Sequence, residues 1–241
     1  WEYSMEPVYA EGFSVDYYAG GYALIDVRNG GRYLVVPEGM SVPEGLDPEI
    51  TVLQQPLENV YLAATSAMAL FDALDALDMI RLSGTDTDGW YIENARAAME
   101  RGDILFAGKY SEPDYELLLT EGCDVAIEST MISHSPKVQE LLELLGIPVF
   151  VDRSSYEEHP LGRTEWIKLY GVLADKEEQA SAFFADYLIY NATIDEPLDT
   201  IDELLARSSL LADFKAVREG NVWCTDKYLY QATDVIAGLI T

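Results

Sequence analysis

From about Val52 to Leu173 the chain alternates short apolar runs with helical stretches of ten or so residues, and that rhythm constrains the fold more than any other feature. Short buried strands separated by helices return the chain in the same direction each time, which gives βαβ units and a parallel sheet. The strand-like runs are 59–64, 79–82, 124–127 and 147–151. The helical ones are 67–77, 91–100, 113–120 and 135–145, with two more at 160–173 and 176–187. Gly102, Gly122 and Gly146 stand where helices stop, and Ser66 is placed to cap the first helix.

Residues 1–50 read as β-structure. Runs at 12–18, 22–27 and 32–36 are split by Gly20-Gly21 and Asn29-Gly30-Gly31. Asn-Gly is a strong hairpin signal, because both central residues of a type I′ turn need positive φ. A Pro/Gly-rich linker, 37–45, follows. Beyond Tyr190 the pattern thins: a polar stretch (191–200), a helix-like segment (201–207), one strand at 222–224 and an apolar tail (233–240), too little core for an independent lobe.

Charge and composition narrow the partners. The 241 residues are 49% hydrophobic, enough to bury a core, but 15 Lys and Arg face 43 Asp and Glu, a net charge of -28. Phosphate backbones and anionic lipid would repel such a chain, so nucleic acid and membrane surfaces are not expected partners. No apolar run approaches the ~20 residues that span a bilayer. Cys123 and Cys224 have no metal-ligand spacing and read as small buried hydrophobes. The start at Trp1, with no basic or apolar leader region, reads as a processed or trimmed mature chain.

Enzyme signatures are missing: no dinucleotide GxGxxG, Walker loop, HExxH or GxSxG. With only His134 and His159, a metal site would have to borrow Glu128, Asp152 or Glu158. The residues that follow the expected strands are more informative. They are Thr65-Ser66, Ser83-Gly84-Thr85, Gly108-Lys109-Tyr110, Glu128-Ser129-Thr130-Met131 and Asp152-Arg153-Ser154-Ser155-Tyr156. Ligands of open α/β sheets sit beyond the carboxyl ends of the strands, where these groups would gather. That set suits a polar small molecule and holds no obvious nucleophile and base. The bland reading of the hydroxyls is helix capping, which Lys109, Tyr110 and Arg153 do not share.

The order of segments resembles class III solute-binding proteins of ABC importers, which bind ferric siderophores, haem or corrinoids of the cobalamin type. Asn59 to Leu77 with Ile80 to Ser83 is similar to the family's opening strand and helix. Gly108-Lys109-Tyr110, Pro113-Asp114-Tyr115-Glu116-Leu117-Leu118 and Cys123-Asp124-Val125-Ala126-Ile127 resemble its "G…P…E…L…PDLV" segment. Gly146-Ile147-Pro148-Val149 resembles its "GIPV" strand, and Glu219-Gly220-Asn221-Val222-Trp223 the close of its second lobe.

The resemblance implies α/β architecture with two Rossmann-like lobes joined by a long helix, plus an N-terminal β-hairpin extension. The divisions are 1–50 for the extension, 51–173 for the N-terminal lobe, 174–190 for the connecting helix and 191–241 for the remainder of an apparently incomplete second lobe. It implies an extracytoplasmic monomer with no catalytic residues and no resident cofactor or metal. Its partners would be a metal chelate or corrinoid and an ABC permease. The ligand set would be Ser66, Thr85, Lys109, Tyr110, Ser129, Thr130, Met131, Arg153, Ser154 and Arg163, with Tyr228, and Tyr230 beside it, from the second lobe. Arg163 has a structural alternative, pairing with Glu165 or Glu158. Haem would take an axial ligand from Met131, His134, His159 or a Tyr. Glu116 would dock on a permease arginine, a contact that sets orientation and association rate. Competing readings are a metal-assisted enzyme built on Asp152, Glu128 and a histidine, and an adhesion protein using the N-terminal β-region.

Overall fold

The computed structural model describes residues 1–186, 188–190, 200–207, 215–220 and 222–224. Five strands form the N-terminal sheet: β1 (Tyr3–Met5), β2 (Phe13–Tyr18), β3 (Tyr22–Val27), β4 (Gly31–Val36) and β5 (Ile50–Gln54), side by side in that order. Neighbours are antiparallel except β4 and β5, which run parallel. Period-two alternation makes these strands: Phe13, Val15 and Tyr17 of β2 and Ala23, Ile25 and Val27 of β3 are buried. The turn from β3 to β4 differs from the expected type I′ geometry. Positive φ falls on Asn29 (58°) and Gly31 (122°) and not on Gly30. The linker 37–45 lies within the crossover that makes β5 parallel to β4, so the sheet runs on to Gln54.

The second sheet is parallel throughout. Its strands are β6 (Val60–Leu62), β7 (Ile80–Ser83), β8 (Leu105–Phe106), β11 (Val125–Ser129) and β12 (Val149–Asp152); β9 (Gly108–Lys109) and β10 (Glu112–Pro113) form a small hairpin between β8 and β11. The helices between and after them are α1 (Met68–Ala73), α2 (Glu93–Arg101), α3 (Tyr115–Thr120), α4 (Pro136–Leu144), α5 (Pro160–Ala174) and α6 (Glu177–Asp186). Spatial order is β12-β11-β6-β7-β8. Both faces are covered, which is why the strands read as continuous apolar runs. On β11, Val125 and Ile127 join the larger core while Ala126 joins a smaller one with Tyr61, Leu118 and Leu142.

The N-terminal sheet shares that larger core. Phe13 meets Trp166 of α5 edge-to-face at 5.2 Å, and Tyr33 meets Phe150 of β12 at 4.6 Å. The Tyr33 hydroxyl accepts from the Val151 amide and donates to the Gly30 carbonyl, tying the sheets by hydrogen bonds as well.

The segment expected as one connecting helix over 174–190 is broken. The chain leaves α5 at Asp175 in the left-handed region (φ 54°), re-enters helix as α6, and Leu188–Tyr190 is a strand, β13. This strand pairs parallel with β14 (Val222–Cys224). Helices α7 (Ile201–Arg207) and α8 (Lys215–Glu219) lie between them in sequence, and Leu204, Ala216, Val217 and Val222 pack on Leu161. Tyr228, Tyr230 and the apolar tail lie outside the described residues. Among the described residues no helix is long and apolar enough to cross a membrane.

Candidate functional site

Strand order decides where a ligand can sit. The chain builds from β6 outward to β7 and β8, then crosses back to place β11 and β12 on the other side of β6. Order therefore reverses between β6 and β11, the position beyond whose carboxyl ends open α/β sheets hold ligands. Thr65-Ser66 follows β6, and Thr130-Met131 follows β11. Ser66, Thr85, Ser129, Thr130, Met131, Arg153 and Ser154 stand at or just after the carboxyl ends of this sheet's strands, while Lys109 and Tyr110 lie in the β9–β10 hairpin beyond β8.

Their side chains do different work. Ser66 caps nothing; its hydroxyl donates to Asp152 Oδ1 at 3.2 Å, and α1 has no side-chain cap. Ser154 is buried and donates to the same oxygen at 2.8 Å. The Ser129 hydroxyl accepts from the Met131 amide, a capping role. Thr130 donates to the Tyr156 hydroxyl at 3.1 Å, and Met131 is exposed beside it. The Thr85 carbonyl accepts from the Ser83 hydroxyl and the Trp90 indole. Lys109 is exposed and Tyr110 half-buried, and the Arg153 guanidinium lies 4.8 Å from the Tyr156 ring centre. Arg163 departs from the expected pairing: its Nε donates to the Glu157 carbonyl, while Glu165 is bound by Lys168 at 2.6 Å. Glu116 is exposed in the first turn of α3, consistent with a surface role.

Two buried carboxyls lie under this edge. Asp152 accepts from Tyr170 at 2.6 Å as well as from Ser154 and Ser66; burial pushes its carboxyl up, and these bonds oppose the shift. Glu128, the penultimate residue of β11, is fully buried, and neither of its oxygens has a hydrogen-bond partner. Burial pushes it up to about 8, so it keeps its proton at neutral pH. Among the described residues no three His, Cys, Asp or Glu side chains converge as a metal site. Cys123 is half-buried with its thiol pushed up to about 12 by burial, as suits a small hydrophobe.

A cavity of about 530 Å³ adjoins the β12 end of the edge, and local sequence reasoning does not find it. One wall is the strap Tyr9 to Gly12, one the turn Arg28-Asn29, and one the loop Arg153 to His159. Two glutamates of the α5 region hold the strap. Glu165 accepts from the amides of Val8, Tyr9 and Ala10 at 2.7–3.0 Å. Glu157 accepts from the amides of Glu11 and Gly12 and from the Trp166 indole at 2.7–3.1 Å. At position 12 a Cβ would lie 2.7 Å from Glu157 Oε1 and 3.2 Å from the Trp166 ring, so a larger residue there would push the Glu157 carboxylate from its place. The partners are more than 140 positions apart, so the only local signal was the Asn-Gly turn beside Arg28.

No family model matches the chain. An uncharacterised lipoprotein of Methanocaldococcus jannaschii is 24% identical over 172 residues, 68% of this chain and 41% of the relative. The chain thus spans less than half the length of that relative. Among solved structures, a petrobactin-binding protein of Bacillus subtilis overlaps 72% of this chain and 85% of its own, at 11% identity and a TM-score of 0.43. A periplasmic haem-binding protein of Pseudomonas aeruginosa overlaps 70% and 84%, at 16% identity and 0.44. A molybdate periplasmic binding protein of Haemophilus influenzae overlaps 75% and 83%, at 12% identity and 0.47. None of these three binding proteins is more than 16% identical to this chain.

Proposed function

We propose that the protein is the extracytoplasmic substrate-binding component of an ABC importer. It takes up a ferric siderophore, haem or corrinoid-type ligand at the carboxyl edge of the parallel sheet and hands it to a permease. One observation carries the reading: strand order reverses between β6 and β11, where Thr65, Ser66, Ser129, Thr130 and Met131 stand at or after the strand ends, with Arg153 and Tyr156 following the adjacent β12. The motifs between Asn59 and Val149 that resemble the class III family fall on that sheet and the helices between its strands, which supports it. In the complete receptor this edge faces a second lobe across a cleft, with 174–190 as the joining segment and residues 191–241 contributing to that lobe. Exposed Glu116 meets a permease arginine, and the receptor works as a monomer. The archaeal relative's description as a lipoprotein supports a location outside the cytoplasm.

Amide hydrogen exchange tests the placement, using haemin, cobalamin, cobinamide and a set of ferric siderophores as probes. Protection at 65–66, 83–85, 129–131 and 153–156 by one of them is the expected footprint. Protection confined to the opposite edge, or chemical conversion of the probe, would overturn the reading.

A further inference from the structure

The N-terminal sheet brings one of the chain's few cations and an asparagine to the cavity beside the carboxyl edge, where a second cation meets them. Only 15 of the 241 residues are Lys or Arg, yet Arg28 and Arg153 both line this cavity from different sheets. A Cβ at Gly30 would lie 3.2 Å from Arg153 Cδ, so the stem of Arg153 runs along the turn that carries Arg28. That turn holds Asn29 at φ 58°, a conformation a side-chain-bearing residue adopts at some cost.

The flat surfaces are present too. Tyr156 lies under the Arg153 guanidinium, and Tyr9 stacks on His159 at 4.8 Å. His159 Nδ1 accepts from the Leu161 amide, so the neutral ring carries its proton on Nε2 as a donor. Three glutamates share the lining with the two arginines. The Glu157 carboxylate is directed at two backbone amides and the Trp166 indole, which hold its charge against the strap. Glu158 is exposed, and Glu11 and Arg28 form an ion pair at 3.9 Å whose side chains are 81% and 66% exposed, so water screens that pair.

We infer that this cavity is a subsite for a planar, anionic, oxygen-bearing group such as an aromatic carboxylate. Arg28 and Arg153 grip its oxygens, and Tyr156 and the Tyr9–His159 stack flank its ring. The N-terminal sheet is thereby a wall of the ligand site. Guanidinium forks match carboxylate geometry, and aromatic faces accept a ring without regard to its substituents. The inference rests on reading the carboxyl edge as a ligand-binding edge, and it adds the class of group the ligand presents there.

The test is an NMR titration with salicylate that follows the Arg28 and Arg153 Nε–H signals, with neutral 2-hydroxybenzamide as comparator. The proteins are the wild-type chain and R28Q, R153Q and R96Q. Arg96 is an exposed α2 residue that does not line the cavity, and its variant controls for loss of charge alone. Thermal unfolding checks that each variant is folded. Saturable salicylate shifts at both arginines are expected, weakened at least tenfold in R28Q and in R153Q and unchanged in R96Q, with the amide at least tenfold weaker. Wild-type affinity in R28Q, equal weakening in R96Q, or shifts confined to other residues would overturn the subsite. Salicylate binding here with no chelate binding anywhere would overturn the importer reading and leave the subsite standing. A chelate bound equally well by wild type and R28Q would do the reverse.

Discussion

At Glu128, burial decides the protonation state. The carboxyl has no partner to stabilise its charge, and loss of water pushes it from 4.5 up to about 8. Below pH 4.5 it is protonated in both folded and unfolded chains and contributes nothing. Between there and about pH 8 the unfolded chain releases a proton that the folded chain keeps, so stability falls by roughly 1.4 kcal/mol per pH unit. Glu128→Gln removes that slope. Denaturant unfolding at a series of pH values checks it: the variant gains on wild type as pH rises from 5 to 8, and parallel curves would refute the assignment. Asp152 is the opposite case, a buried carboxyl with its bonds made. Tyr170→Phe removes the 2.6 Å bond and keeps the ring, so a loss of about 1–3 kcal/mol is expected in the same unfolding experiment. Neither environment was legible in sequence. Glu128 and Asp152 read as polar strand-end residues, and only the packing of α3, α4 and α5 over the sheet makes one an orphan and the other a hub.

The strap on α5 is an interaction between elements. Burial raises the Glu165 carboxyl, but Lys168 and three backbone amides outweigh it and hold the group below its ordinary 4.5. A depressed carboxyl contributes stability that is complete above the unfolded value and is lost as pH falls through the lower folded one. The strap thus loosens in acid, below about pH 4.5. Glu165→Ala leaves three amides without acceptors, which predicts about 2–4 kcal/mol of destabilisation and faster hydrogen exchange at residues 8–10. Unchanged exchange there would contradict the clasp. Elements were legible where burial on both faces produced an apolar run, as at Val125-Ala126-Ile127. They were not legible where a partner far along the chain makes the strand. β5 follows a Pro/Gly linker and is defined by pairing with β4; β8 is two residues long; and Leu188–Tyr190 continues an apolar helical pattern but pairs with Val222–Cys224.

On the scale of the molecule, the N-terminal sheet and the α/β unit share one core. Phe13 and Trp166, far apart in sequence, are adjacent in it, so the two parts are expected to unfold together. Phe13→Ala should cost about 3–5 kcal/mol and lower the melting temperature of near-ultraviolet signals from both parts in a single transition. Loss of the N-terminal sheet alone, with the α/β transition unmoved, would show two separate cores. The carboxyl edge was legible from sequence because its rule is topological and needs only the strand ends. The cavity beside it was not, because its walls come from segments brought together by folding. The central claim is that this edge binds and releases a small ligand unchanged. Calorimetric titration of the protein with haemin, cobalamin, cobinamide and ferric siderophores tests it most directly. Saturable one-to-one binding of one compound, recovered chemically intact, is the predicted result; silence across the panel with a folded chain, or turnover of the compound, would contradict it.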